Sequence, residues 1–206
     1  MKKEDLTFPL HVIVHPFDGF WDMKYENKGK LRVVALIVAL VIGAFILQKQ
    51  YAGFLVNFID PRTLNSLSDI TQILFAFFLW SISNWSVCTL VEGEGKLKDI
   101  MMATAYSLVP IVLIYYPTTL LSNVLTQEES AFYYLLNSIA LIWSVCLLIV
   151  GMMTVHQYKV SKTLVTMFLT ILMAAVVIFL MMLLYSLFQQ IIDFAANIYT
   201  ELIFRK

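Results

Sequence analysis

Two short polar tracts carry closely spaced side chains that could do acid–base or metal chemistry. One is Glu92-Gly93-Glu94-Gly95-Lys96-Leu97-Lys98-Asp99; the other is His156-Gln157-Tyr158-Lys159. Carboxylates and imidazole suit zinc and harder divalent cations, so Glu92, Glu94, Asp99 and His156 together could form a metal site or an acid–base pair acting on a lipid headgroup. The spacing argues for less. It is neither H-E-x-x-H nor a paired C-x-x-C, the glycines read as turn residues, and the alternating charges read as a solvated hairpin. His11 and His15 stand four apart, yet Val12-Ile13-Val14 is β-branched and Pro16 disfavours helix at His15, so an i, i+4 ligand pair is not expected. No phosphate-cradling loop, nucleophile elbow or GxGxxG is present. The expectation is a protein without catalytic residues, metal or cofactor.

The elements that position these tracts follow from composition. Of 206 residues, 60% are apolar and only 14% charged, with a mean hydropathy of +0.81. Soluble domains are about 45–50% apolar and about 25% charged, and a chain of this size cannot bury such an excess in its own core. Lipid is the expected solvent. Fourteen basic residues balance fourteen acidic ones, so there is no positive field for nucleic acid. Cys88 and Cys146 fall in apolar runs and are expected as buried thiols rather than a disulfide. The N-terminus lacks the pattern of a cleaved signal peptide, because Glu4, Asp5, His11 and His15 precede any long apolar run. The first span is then its own targeting signal.

Uncharged intervals give five spans, expected at about 31–48, 70–91, 100–117, 132–154 and 163–185. The fold class is all-α, an integral membrane helical bundle with the N-terminus inside and the C-terminus outside. Lys24, Lys28, Lys30, Arg32, Lys96, Lys98, Lys159 and Lys162 then lie inside, against Lys49, Arg62, Arg205 and Lys206 outside, as the positive-inside rule requires. The first interval is short, needing Arg32 and Lys49 to snorkel. Pro110 and Pro117 interrupt the third, which is either a kinked crossing or a re-entrant hairpin. A hairpin would leave four crossings and bring the C-terminus inside.

Residues 1–30 form a polar segment before this membrane domain of 31–192. Pro16 opens a short helix on which Phe17, Phe20, Trp21 and Tyr25 share a face, expected to lie in the headgroup layer. The tail 193–206 repeats that pattern with Phe194, Ile198, Tyr199, Leu202 and Ile203. Within the spans no Asp, Glu, Lys or Arg lies deep, which argues against an ion-coupled transporter or a voltage sensor. Asn84 is the most polar central group, read as an interhelical hydrogen bond in preference to a substrate contact. Trp80, Trp85 and Trp143 sit at mid-span and need partners for their indole N–H. If a midplane pocket exists, Trp80, Asn84, Trp85, Tyr106, Pro110 and Trp143 are its candidate lining. Phe17, Trp21, Glu92, Glu94, Lys96 and His156 are the candidate partner-binding residues.

Several of these motifs taken together resemble the Yip1 domain family, in its bacterial branch. They are His15-Pro16-Phe17-Asp18-Gly19-Phe20, Gly93-Glu94-Gly95-Lys96-Leu97-Lys98-Asp99-Ile100, Ala105-Tyr106-Ser107-Leu108-Val109-Pro110, and His156 with Lys162. The resemblance covers nearly the whole chain. It implies five spans with a cytosolic N-terminus and supplies no catalytic residues. Eukaryotic members are linked to Rab GTPases and vesicle traffic, but the long N-terminal extension typical of them is replaced here by about thirty residues. Some bacterial members are encoded near carbohydrate ABC transporters. The functional expectation is therefore a non-enzymatic protein of the bacterial cytoplasmic membrane acting through protein or lipid partners. Those partners are the bilayer, a membrane protein or a second copy, within a transport or envelope assembly. The alternative is a small-molecule channel or carrier with a midplane pocket.

Overall fold

The structure is a computed structural model that describes residues 3–204; Arg205 and Lys206, named above for orientation, lie outside it. All regular structure among the described residues is helical. The helices are α1 (Lys3–Val14), α2 (Pro16–Tyr25), α3 (Leu31–Tyr51), α4 (Ser66–Leu90), α5 (Leu97–Ser107), α6 (Val109–Leu121), α7 (Ser130–His156) and α8 (Val160–Phe204). Five segments are long and apolar enough to cross a membrane: α3, α4, α5 with α6, α7, and α8.

Local chemistry sets the helix ends. Asn65 caps α4, its side-chain oxygen accepting from the N–H groups of Leu67 and Ser68 at 3.1 and 3.2 Å. Asp69 in the first turn of α4 receives Lys49 Nζ at 2.5 Å, binding the end of α3 to the start of α4. This pair resolves the expected shortness of the first span. α3 has 21 residues, about 31 Å at 1.5 Å each, and Lys49 finds a carboxylate at its end. The third interval is one broken segment, with α5 and α6 meeting at Leu108 and Pro110 near the start of α6. Proline is tolerated there because its missing N–H falls in the unpaired first turn of α6.

α3 packs on α6, α5 and α4, while α7 packs on α5, α6 and α2. Their shared core includes Val34, Ile37, Ile100, Tyr106, Leu147 and Met152. α8 is held chiefly by α4, through a buried stripe of Thr163, Thr166 and Thr170. From about Met181 onward every described side chain of α8 is exposed. Its 45 residues reach about 67 Å, roughly twice the hydrocarbon thickness, and the far half carries a polar row of Ser186, Gln190, Asp193 and Asn197.

The N-terminal segment differs from expectation in two ways. Helix α1 continues through Val12-Ile13-Val14 despite the β-branching, because Val12 and Ile13 are buried and packing outweighs a small propensity cost. His11 and His15 thereby stack at 5.3 Å, although His15 itself is non-helical ahead of Pro16. In α2 the aromatic face divides. Phe20 turns inward with Gly19 and Met23, whereas Phe17, Trp21 and Tyr25 stay exposed. The bundle accepts only the Gly19–Phe20–Met23 side because that side meets α1 and α7. Of the two cysteines, Cys88 is buried as expected but Cys146 is exposed, and both are free. An apolar neighbourhood in sequence does not separate the core face of α7 from its outer face.

Candidate functional site

The two polar tracts meet at one end of the bundle, around His156. Helix α7 stops because Gln157 takes a left-handed conformation (φ 57°, ψ 38°), which lets the Tyr158 N–H return to the Met153 carbonyl at 3.1 Å. Helix α4 ends the same way, with Glu92 at φ 56° and the Gly93 N–H donating to the Cys88 carbonyl at 2.7 Å. These two stops bring the Glu92–Lys96 loop over the end of α7.

His156 is 2% exposed and uses both ring nitrogens. The Gly95 N–H donates to Nδ1 at 3.3 Å, so the ring proton sits on Nε2, which donates to Asn84 Oδ1 at 3.2 Å. Asn84 in turn donates from Nδ2 to Thr170 Oγ1 at 3.1 Å and accepts from the Cys88 thiol at 3.7 Å. Four elements (α4, α7, α8 and the Glu92–Lys96 loop) are thus tied through one imidazole and one amide. The loop fits because Gly93 and Gly95 carry no side chain: a Cβ on either would come within 2.8 Å of His156 Nδ1.

Tyr158 extends the arrangement outward. Its ring stacks on His156 at 5.3 Å, its hydroxyl donates to the Val91 carbonyl at 3.2 Å, and Lys162 Nζ lies 4.1 Å from the ring centre. Burial, with Cys88 beside it, pushes the phenol up to about 12, so it remains a neutral donor. Lys24 of α2 donates to the Val155 carbonyl at 2.8 Å, where a cation also complements the negative end of α7. It lies 3.4 Å from Glu94 as well.

Above this buried junction lies an exposed aromatic platform. Phe17 and Trp21 are 56% and 48% exposed, and Trp21 packs on Tyr25 at 4.2 Å. With Asp18, Thr154, Tyr158 and Lys159 they border a surface groove of about 350 Å³.

The structure gathers the six candidate partner-binding residues at this end but in different roles. Phe17 and Trp21 form the platform, and Glu92, Glu94 and Lys96 are exposed on the loop. His156 is buried beneath them. Among the described residues no three His, Cys, Asp or Glu side chains converge in a way that could hold a metal ion. The candidate pocket residues disperse further. Only Trp80 lines the mid-span cavity, which has a volume of about 340 Å³. Asn84 belongs to the His156 junction, Tyr106 is buried edge-on to Phe8 at 5.7 Å, Trp85 and Trp143 are exposed on the outside, and Pro110 is buried in the α5/α6 join. Ser144 and Ser107 do line the cavity.

Glu92 pays a conformational penalty, since left-handed backbone disfavours a side chain with a Cβ. Glu92→Gly is expected to raise stability by roughly 0.5–1 kcal/mol, the relief being offset by greater freedom of the unfolded chain. Thermal unfolding in detergent measures it, and an unchanged or lower midpoint would contradict the account.

No curated protein and no solved structure gives a significant match to this chain. The Yip1 domain model matches residues 10–199, nearly the whole length, and by that match the chain belongs to the Yip1 domain family.

Proposed function

We propose that this protein acts without catalysis, as a partner-binding subunit of a membrane assembly, and that the α2 platform is its contact surface. The observation that carries this reading is the division of α2. Phe20 and Met23 lock the helix to the bundle, while Phe17 and Trp21 are held outward on the groove they share with Lys159 and Tyr25 is exposed against Trp21. Exposed aromatics on a rigid support are the usual anchors of an interface, and their side-chain entropy is already restricted.

The orientation that suits this role has the N-terminus and the His156 end inside the cell. Its support is the excess of lysine and arginine among Lys24–Arg32, Lys96, Lys98, Lys159 and Lys162. The membrane is the bacterial cytoplasmic membrane, and a transport or envelope assembly is the setting the bacterial family members suggest. A carrier working through Asn84 has less support, because that amide is engaged by His156 and Thr170 outside the cavity.

Purification in mild detergent from its own membranes tests the proposal. A recurrent companion, either another membrane protein or a differently tagged second copy, is expected with the wild type. Trp21→Ala is expected to weaken retention about 30-fold, the effect of a central aromatic worth about 2 kcal/mol, with thermal stability unchanged. A wild-type protein that is always recovered alone would defeat the proposal.

A further inference from the structure

The groove beside the α2 platform carries one charge of each sign. Its lining includes Phe17, Asp18 and Trp21 from α2, Met153 and Thr154 from the last turn of α7, and Lys159 at the entry to α8. Asp18 and Lys159 are the charged side chains of this lining, and both are exposed. Among the described residues neither side chain is engaged in an ion pair or a hydrogen bond. Three lysines at the same end are committed elsewhere. Lys24 bonds the Val155 carbonyl, Lys28 pairs with Asp22 and Glu26, and Lys162 lies over the Tyr158 ring.

The groove also meets the bilayer. It lies where the span α7 ends and the span α8 begins, the level at which tryptophan concentrates in membrane proteins. From Met153 a stripe runs down α7 through Ile149, Cys146 and Ile142, which share one helix face and are each partly or fully exposed. A hydrocarbon chain on that stripe would start in the groove and continue into the membrane. This continuity favours a lipid over a soluble ligand.

We infer that the groove seats the headgroup of a zwitterionic phospholipid with a primary ammonium, phosphoethanolamine. The ammonium donates to Asp18 and lies against Phe17 and Trp21, the phosphate meets Lys159, and an acyl chain follows the α7 stripe. Both polar contacts are charge-assisted hydrogen bonds, and aromatic faces attract a cation. A net-anionic headgroup leaves the Asp18 charge unbalanced, and a trimethylated one has no N–H for the carboxylate. The groove, about 350 Å³, falls within the range of small-molecule sites, about 300–1,000 Å³. The inference does not rest on the partner-binding reading, although the two share Phe17 and Trp21.

Purified, delipidated full-length protein in mild detergent is titrated with dihexanoyl phosphatidylethanolamine, and separately with phosphatidylcholine and phosphatidylglycerol of the same chains. Native mass spectrometry counts the bound lipid. The ethanolamine lipid is expected to saturate one site about 5-fold more tightly than the other two, the scale of one exposed charge pair. Glycerophosphoethanolamine, which lacks the chains, is expected to bind about 10-fold more weakly; equal binding would overturn the lipid assignment. Asp18→Asn is expected to bring the ethanolamine and choline lipids to equal affinity, and Lys159→Gln to weaken all three about 5-fold. Both positions are exposed, so an unchanged thermal midpoint of the lipid-free variants is the control for folding. No saturable site on the wild type, or an ethanolamine preference that is missing or survives Asp18→Asn, defeats the inference. Lipid is counted on the isolated protein, so the recovery or loss of a companion, which tests the partner reading, does not enter the result.

Discussion

Asn84→Leu is expected to destabilise the protein by about 2–4 kcal/mol, far more than its helix position suggests. Transmembrane side-chain hydrogen bonds average only about 0.6 kcal/mol by double-mutant cycles. Asn84 is different because it is the shared partner of three groups. Leucine leaves the His156 Nε2–H without its acceptor, the Thr170 hydroxyl without its donor and the Cys88 thiol without its acceptor. The first is the costliest, since His156 is buried and its other nitrogen is already engaged by the Gly95 N–H. Reversible unfolding in detergent or bicelles measures the loss. Ser83→Ala is the matched control one residue away, because the Ser83 hydroxyl is buried with no partner and removing it is expected to be neutral or slightly stabilising. Equal costs for the two variants would show that Asn84 is not a junction. A cycle of Asn84→Leu with His156→Phe is expected to show coupling above 1 kcal/mol, as residues of one hydrogen-bond network do.

Gly19→Leu is expected to release α1 from α2 and, with it, the platform from its support. A Cβ on Gly19 would lie 2.7 Å from the Cα of Val12, a backbone atom that cannot turn aside. The helices must separate, and Val12, Ile13 and Phe8 lose their burial. Overpacking of this kind costs about 1–3 kcal/mol, which corresponds to a roughly 5- to 150-fold rise in local opening. Protease sensitivity and amide exchange within residues 7–25 report it, with the spans unaffected because α1 and α2 lie outside them. Phe17→Ala provides the contrast: partner retention falls while protection of α1 stays at the wild-type level. Unchanged protection in Gly19→Leu would mean the hairpin is not held by this close approach.

Much of the architecture was legible in the chain. Uncharged runs of about 20 residues admit few alternatives to helices in lipid, so five spans could be read from the placement of charge alone. One helix stop was legible too, since the glycines of the Glu92–Lys96 tract read as turn residues. His156 and Asn84 could each be noticed as polar groups, but 72 residues separate them. No local pattern states that one will donate to the other.

What the sequence determined by itself is the solvent of each segment, because transfer free energy depends on which side chains a segment carries. Tertiary structure alone decided which face of each helix looks inward. In a soluble helix the polar side marks the outside, but in a span both sides are apolar and that mark disappears. This is why Cys146, Trp85 and Trp143 proved exposed, why Phe20 parted from Phe17 and Trp21, and why Trp80 and Ser144, from different helices, came to line one cavity. Those choices were made by shape: small residues where helices approach closely, and hydrogen-bond partners supplied from another helix.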